Sequence, residues 1–427
     1  MLRPSSTGRL RTGVAALLAT AALLLGGAPS ALAAPGAVPS PSPMPSASPT
    51  SSPRPTADLA APTPTSPPAG PPPEGHAPDG STVGGEQLDT RGLVVADGAP
   101  PLPDGIGAAG WLVADAGTGA VLAARDPHGR YYPASTLKTL LLLTLAPRLS
   151  PDTVVVGTTE DENIEGSRVG IVNGGSYSVA LLERALMLQS GNDAANALAR
   201  TAGGVPQTVA AMQQTADRLG AFDTVVGTPS GLDVAGQSSS PYDLALVFRQ
   251  LTADPTTAAV LMSSTADMPA VGDKPGFQIQ NQDPLLGSYP GNLGAKSGFT
   301  DAARHTFVTE AGRDGRRIVV SLMQTERRPV HEAQQAALLL DWGFSVPAGT
   351  TGVGRLVEPG EVPAATAAAS PATTSRTQVA PAASGSSPAH VAPGWLAAGG
   401  AVLAVAVLGA VLTLRRRGRP GSPPPPG

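Results

Sequence analysis

The chain has 427 residues, 41% hydrophobic and only 3% aromatic, with a formal net charge of -4 and no dominant charged block. That balance supports a large core of Leu, Val and Ala, and nothing in it suggests a nucleic-acid surface. Cysteine is absent, which removes disulfides, thiolate zinc sites and cysteine nucleophiles together.

Arg3, Arg9 and Arg11 precede an apolar run from Val14 to Gly26, and Ala31-Leu32-Ala33 offers small residues for cleavage. This pattern predicts a secretory signal over residues 1–33. Residues 34–83 are mostly Pro, Ser, Thr, Ala and Gly. Such a segment buries too little apolar area to offset its ordering entropy, so a disordered spacer is expected.

A folded domain is expected over residues 84–357. Within it, Trp111 to Asp115 and Ala120 to Ala124 flank Ala116-Gly117-Thr118-Gly119 and predict a hairpin. Pro133 to Ala146 reads as a buried helix, with Pro147 marking its end. Ala180 to Gln189 and Asp193 to Thr201 read as helices joined through Ser190-Gly191-Asn192. Arg304 to Glu310 and Arg317 to Gln324 read as paired strands turning at Gly312 to Gly315, and Glu332 to Trp342 as a closing helix. Strands at both ends with helices between them predict an α/β sandwich whose middle is a helical insertion.

Residues 358–394 form a second Ala/Pro-rich spacer. Trp395 to Leu414 is apolar apart from Thr413. Twenty residues at about 1.5 Å each match the roughly 30 Å hydrocarbon core of a bilayer, so a transmembrane helix is expected. Arg415, Arg416, Arg417 and Arg419 open the tail 415–427. Positive charge stays inside, which makes that tail cytoplasmic and puts the folded domain on the outer face of the membrane.

Lysine is scarce: the chain holds Lys138, Lys274 and Lys296, and arginine carries the remaining basic charge. Arginine cannot deprotonate near neutral pH, but a lysine with a depressed pKa can. Ser135 and Lys138 lie three residues apart at a helix start and share a face. Only about one free lysine in 2,500 is neutral at pH 7, so a lysine base must lose roughly 3 pKa units, about 4 kcal/mol. Burial in a cleft and a second nearby cation both push that way. The apolar run Thr139 to Leu145 places this helix inside, where an unpaired ammonium is costly. The Ser135 N–H at the helix start is placed to hold an oxyanion. Ser190-Gly191-Asn192 and Lys296-Ser297-Gly298 are each weak signals alone, and Gly298 suits a strand that a ligand approaches closely. His128, His305 and His331 have no metal-ligand spacing, and there is no nucleotide motif and no Gly-x-Ser-x-Gly elbow. No metal or cofactor is expected.

The order of these motifs resembles the serine penicillin-recognising enzymes, and among them most closely the D-alanyl-D-alanine carboxypeptidases of serine peptidase family S11. The likeness rests on Pro133-Ala134-Ser135-Thr136-Leu137-Lys138, Ser190-Gly191-Asn192-Asp193-Ala194-Ala195, Gly231-Leu232 with Ser239-Ser240-Pro241-Tyr242-Asp243-Leu244-Ala245, and Lys296-Ser297-Gly298-Phe299-Thr300. Serine replaces the more usual threonine at 297 and keeps the hydroxyl. The resemblance implies a β-lactamase/transpeptidase-like fold, an antiparallel sheet flanked by helices with an inserted helical subdomain. It implies Ser135 as acylated nucleophile, Lys138 as general base and Ser190 as the proton carrier to the leaving amine. Asn192 would orient the substrate amide, and Lys296 and Ser297 would hold the terminal carboxylate. The backbone N–H groups of Ser135 and Phe299 would form the oxyanion hole. Relatives also use an arginine beyond the third motif for that carboxylate, a role left open here among Arg327, Arg328 and His331. Many relatives carry a β-rich domain after the catalytic one, and the short second spacer leaves that domain unexpected here.

The implied activity is removal of the terminal D-Ala from peptidoglycan stem pentapeptides, with β-lactams acylating Ser135 as substrate mimics. A class A β-lactamase would need a glutamate between the second and third motifs. None occurs between Ser190 and Lys296. A D,D-transpeptidase and a non-catalytic wall-binding scaffold on the same fold are the other readings. Oligomeric state is not legible.

Overall fold

The computed structural model describes residues 54–363. The first strands are β1 (Leu93–Val95), β2 (Gly110–Asp115) and β3 (Ala120–Arg125). A single 3-10 turn, Ala134–Leu137, leads into α1 (Lys138–Leu145). The helical part contains β4 (Val154–Val156), α2 (Thr159–Glu162), β5 (Ser176–Ser178), α3 (Val179–Leu188), α4 (Asn192–Thr201), α5 (Val205–Leu219), α6 (Pro241–Ala253) and α7 (Pro255–Leu261). The chain then forms the hairpin β6 (Thr265–Met268) and β7 (Phe277–Gln280). It returns to the main sheet as β8 (Asn292–Thr300), β9 (Arg304–Arg313) and β10 (Arg316–Thr325), and closes with α8 (Glu332–Ser345) and β11 (Gly354–Arg355).

The main sheet is antiparallel, in the order β1-β3-β2-β10-β9-β8, and β11 also pairs with β3. The strands from the two ends of the domain meet where β2 pairs with β10, Val113 opposite Val320. Side chains alternate across the sheet. Trp111, Val113, Phe307, Ile318 and Val320 join Ala336, Leu339 and Leu340 of α8 in one core. Leu112, Ala114, Val308 and Val319 join the α1, α3 and α6 residues in the other. Both faces are therefore covered, as the run of buried residues along β2 requires.

The predicted hairpin, the helices around Ser190-Gly191-Asn192, the paired strands and the closing helix all form. The paired strands turn at Asp314 and Gly315, both at positive φ. The sequence patterns did not reveal α5, α6 or α7.

The spacer expected over 34–83 is corrected from Arg54 onward. Arg54 Nη1 donates to Asp217 at 2.5 Å, and its Nη2 donates to the Thr224 carbonyl at 2.6 Å. Asp58 N donates to Ala235 O at 2.8 Å, and Arg130 N donates to Pro73 O at 2.9 Å. Ala77 and Val83 are buried in the core. Individual polar contacts, not an apolar period, hold this segment, so composition gave no sign of them. At the other end the folded part passes 357: Gly360 N donates to Arg218 O at 2.6 Å, and Glu358 pairs with Arg249. The expected signal (1–33), most of the second spacer, the transmembrane helix (395–414) and the tail (415–427) lie outside the described residues. Among the described residues no helix is long and apolar enough to cross a membrane.

Candidate active site

Ser135 sits in the 3-10 turn, and Lys138 opens α1, so the i, i+3 spacing brings both side chains to one face. The turn is forced. Ala134 has φ 47°, a left-handed conformation that costs a non-glycine residue about 1 kcal/mol or more. Its neighbours hold it there. Thr136 Oγ1 and Thr306 Oγ1 both donate to the Pro133 carbonyl, at 2.6 and 2.9 Å. Gly231, itself at φ 85°, passes so close that an added Cβ would stand 1.9 Å from the Ala134 oxygen.

Lys138 is wholly buried, and its Nζ has three partners. They are Ser135 Oγ at 2.8 Å, Asn192 Oδ1 at 2.7 Å and the Ser230 carbonyl at 2.8 Å. A neutral amine has two N–H donors and one lone pair. Asn192 Oδ1 and Ser230 O accept the two N–H bonds, which leaves the lone pair toward the Ser135 hydroxyl. Burial pushes the Lys138 pKa well below its ordinary value, and the Lys296 ammonium lowers it further against the opposing Asp193 charge.

Asn192 Nδ2 donates to Glu165 O at 2.7 Å, and Asn192 N donates to Ser167 O at 2.7 Å. With Oδ1 given to Lys138, Asn192 fixes the position of that amine, and its second Nδ2 hydrogen is unused among the described residues. The neighbouring Asp193 is fully buried and accepts from the backbone N–H groups of Val169, Gly170, Ile171 and Ala194 at 2.9–3.0 Å. The loop beside the site is thus tied to α4. Ser190 has φ 58°, and its buried Oγ has no hydrogen-bond partner among the described residues. An unpaired buried hydroxyl on a residue in the left-handed region is unusual in a folded chain.

On the opposite wall, β8 carries the third motif, with Ser297, Gly298 and Phe299 registered against Phe307, Thr306 and His305. A Cβ on Gly298 would stand 2.7 Å from Ser135 N and 2.5 Å from Thr306 Oγ1, so only glycine lets the strand pass the Ser135 N–H. Lys296 is buried and donates to Ser297 O at 2.7 Å. Burial brings its pKa down to about 7, opposed by the charge of Asp283. Phe299 is exposed and stacks on His305, with ring centroids 4.5 Å apart.

Of the eight residues singled out in the sequence, hydrogen bonds join Ser135, Lys138 and Asn192, and Gly298 of β8 comes up against Ser135 N. Ser190 lies in the α3–α4 connection beside Asn192, and Lys296, Ser297 and Phe299 flank Gly298 on the strand. Arg327 is bound to the buried carboxylate of Glu332 at 2.9 Å, and His331 caps α8 by accepting from Ala333 N. The structure assigns carboxylate binding to none of Arg327, Arg328 and His331. Sequence reasoning missed Ser230, Asp193 and Thr306. Ser230 acts through its backbone, which no side-chain pattern reveals. Asp193 stood inside a quoted motif without a role.

Residues 97–327 match the family model described as D-alanyl-D-alanine carboxypeptidase, Peptidase S11. The chain belongs to the peptidase S11 family. The D-alanyl-D-alanine carboxypeptidase DacB2 of Mycobacterium tuberculosis is 44% identical over 254 residues, covering 58% of this chain and 86% of that protein. DacD of Salmonella typhimurium is 33% identical over 260 residues, covering 57% of this chain and 64% of that protein. The crystal structure of D-alanyl-D-alanine carboxypeptidase from Mycobacterium tuberculosis H37Rv aligns with a TM-score of 0.59 at 42% identity, over 62% of this chain and 100% of that one. Family membership makes this chain a peptidase of the D-alanyl-D-alanine carboxypeptidase class, with the expected antiparallel sheet flanked by helices.

Proposed function

We propose that the chain removes the terminal D-Ala from peptidoglycan stem pentapeptides through an ester on Ser135. The observation that carries this is the buried Lys138 amine 2.8 Å from the Ser135 hydroxyl. Lys138 takes the Ser135 proton as Oγ attacks the carbonyl carbon of the penultimate D-Ala. The oxyanion forms beside Ser135 N, and the Phe299 N–H supplies the second donor. Each such donor is typically worth about 2.7–4 kcal/mol in the rate. The C–N bond then breaks, and the departing D-Ala amine takes its proton from the Lys138 ammonium through Ser190. Water attacks the ester with Lys138 again as base, and Ser135 recovers its proton. Lys296 and Ser297 hold the terminal carboxylate. β-Lactams acylate Ser135 by the same attack.

The apolar runs at 14–26 and 395–414 and the arginines from 415 support an outward-facing, membrane-anchored placement, where the wall polymer lies. The test is D-Ala release by the full chain from a peptide ending in D-Ala-D-Ala. Release by the wild type and none by Ser135→Ala is expected. Equal release by both would overturn the reading.

A further inference from the structure

Two of the three lysines belong to the catalytic cleft, and the third, Lys274, does not. It stands on the turn of the β6–β7 hairpin, at the mouth of a separate groove with a volume of about 500 Å³. The loop 162–172 forms the other wall. Val169, Ile171, Met268 and Phe277 supply the apolar lining, and Arg168 and Lys274 supply two cations against one carboxylate, Glu162. Lys274 Nζ reaches across to Glu162 Oε1 at 2.9 Å, and Arg168 donates to the Glu162 carbonyl at 2.7 Å. Among the described residues Arg168 has no carboxylate partner.

The wall between this groove and the catalytic cleft is one loop thick. On its inner side, Glu165 O and Ser167 O accept from Asn192, and a Cβ on Gly166 would stand 2.6 Å from Asn192 Nδ2. On its outer side, Gly170, at φ 92°, lets Phe277 close in, since a Cβ there would meet the ring at 3.3 Å. Asp193 fixes both sides by holding the N–H groups of Val169, Gly170 and Ile171. The groove is therefore rigidly joined to the residues that position the base.

We infer that this groove is an accessory subsite for the distal, carboxylate-bearing part of the peptide substrate, upstream of the bond that is cut. The inference rests on the peptidase reading above. The site is apolar along its walls, and of the side chains lining it Arg168 and Lys274 stand against one carboxylate, Glu162, which fits a peptide backbone with a free side-chain carboxylate. A ligand carboxylate would take Lys274 from Glu162 and use Arg168 as its second donor.

The test compares two substrates on the full chain. One is L-Ala-γ-D-Glu-L-Lys-D-Ala-D-Ala, which carries the distal carboxylate. The other is diacetyl-L-Lys-D-Ala-D-Ala, which lacks it. In Lys274→Glu the KM for the long peptide should rise about two- to fivefold, the range of an exposed ion pair, with kcat and the short peptide unchanged. Arg168→Ala should act in the same direction. Amidating the distal carboxylate should weaken binding to the wild type and remove its difference from Lys274→Glu. An unchanged long-to-short ratio of kcat/KM in both variants would overturn the subsite. Absence of D-Ala release from either peptide by the wild type would instead overturn the peptidase reading. Equal labelling of wild type and variants by a fluorescent penicillin shows that the fold is kept.

Discussion

The Nζ of Lys138 lies 2.8 Å from the Oγ of Ser135, and its two remaining hydrogen bonds end on acceptors, Asn192 Oδ1 and Ser230 O. This geometry suits an uncharged amine, and the buried site depresses the pKa to match. The same arrangement ties the base to the second motif through Asn192 and, electrostatically, to the third through Lys296.

That electrostatic link predicts a pH shift. The Lys296 cation is the second cause that lowers the Lys138 pKa, after burial. Lys296→Gln removes that charge, so Lys138 should hold its proton to higher pH. The rising limb of penicillin acylation, followed between about pH 5 and 10, should move upward in the variant. With a carboxylate-ended peptide, wild-type kcat/KM should fall as pH passes about 7, where free Lys296 loses its proton. This fall should be absent in Lys296→Gln, whose kcat/KM is low throughout.

Stability should carry the same signature. The folded pKa of Lys138 is lowered, so between that value and the ordinary lysine value of 10.5 the unfolded chain binds the extra proton. Stability therefore rises with pH across that window, by up to about 1.4 kcal/mol per unit. Asp243, whose pKa burial and the Asp223 charge raise, and Glu310, raised to about 7 by burial, contribute the opposite slope at lower pH. Comparison with Lys138→Met removes these shared terms. Urea unfolding between about pH 8 and 10 should show the wild type gaining stability faster than the variant, and parallel curves would contradict a depressed lysine.

Gly231 is expected to tolerate no side chain. Its φ of 85° is left-handed, and an added Cβ would collide with the Ala134 carbonyl. Gly231→Ala should cost about 2–4 kcal/mol in unfolding free energy. Penicillin acylation should also slow, because Ala134 sets the approach of Ser135. A change under about 0.5 kcal/mol with normal acylation would show that the turn relaxes freely.

Asp193→Asn places an NH2 group among the four N–H donors that the carboxylate now accepts. An opposed donor pair in a buried site should cost about 1–3 kcal/mol. The loop 165–171 should loosen first. Hydrogen exchange at Val169, Gly170 and Ile171 should speed up more than at β9, and uniform exchange across the domain would contradict a local role.

The catalytic cleft was more legible in the sequence than the body around it. Ser135 and Lys138 show because a lysine in a buried helix demands a chemical reason, and the scarcity of lysine sharpens that signal. The hairpin turns show through Gly119 and Gly315, and the strands show through long apolar runs. Helix α5 was missed because Ala, Thr and Gln dilute the apolar stripe that marks a helix face. Helix α6 did carry legible signals that the reading left unused: the Ser240 cap, Pro241 at its first position and an apolar run from Leu244 to Phe248. The segment from Arg54 was misread because its hold on the domain comes from a guanidinium and main-chain bonds. The partners of Lys138 were half visible: Asn192 lies in a motif, but the Ser230 carbonyl depends on a backbone path that no residue type encodes.

The most direct measurement is the rate of Ser135 acylation by a penicillin in wild type and Lys138→Ala, with the adduct located by peptide mass spectrometry. A general base of this kind contributes about 10²–10⁴-fold. The wild type should acquire one adduct on the Ser135 peptide, and Lys138→Ala should acquire it at least about a hundredfold more slowly. Acylation of the variant within about threefold of the wild-type rate would contradict the assignment of the buried amine as base.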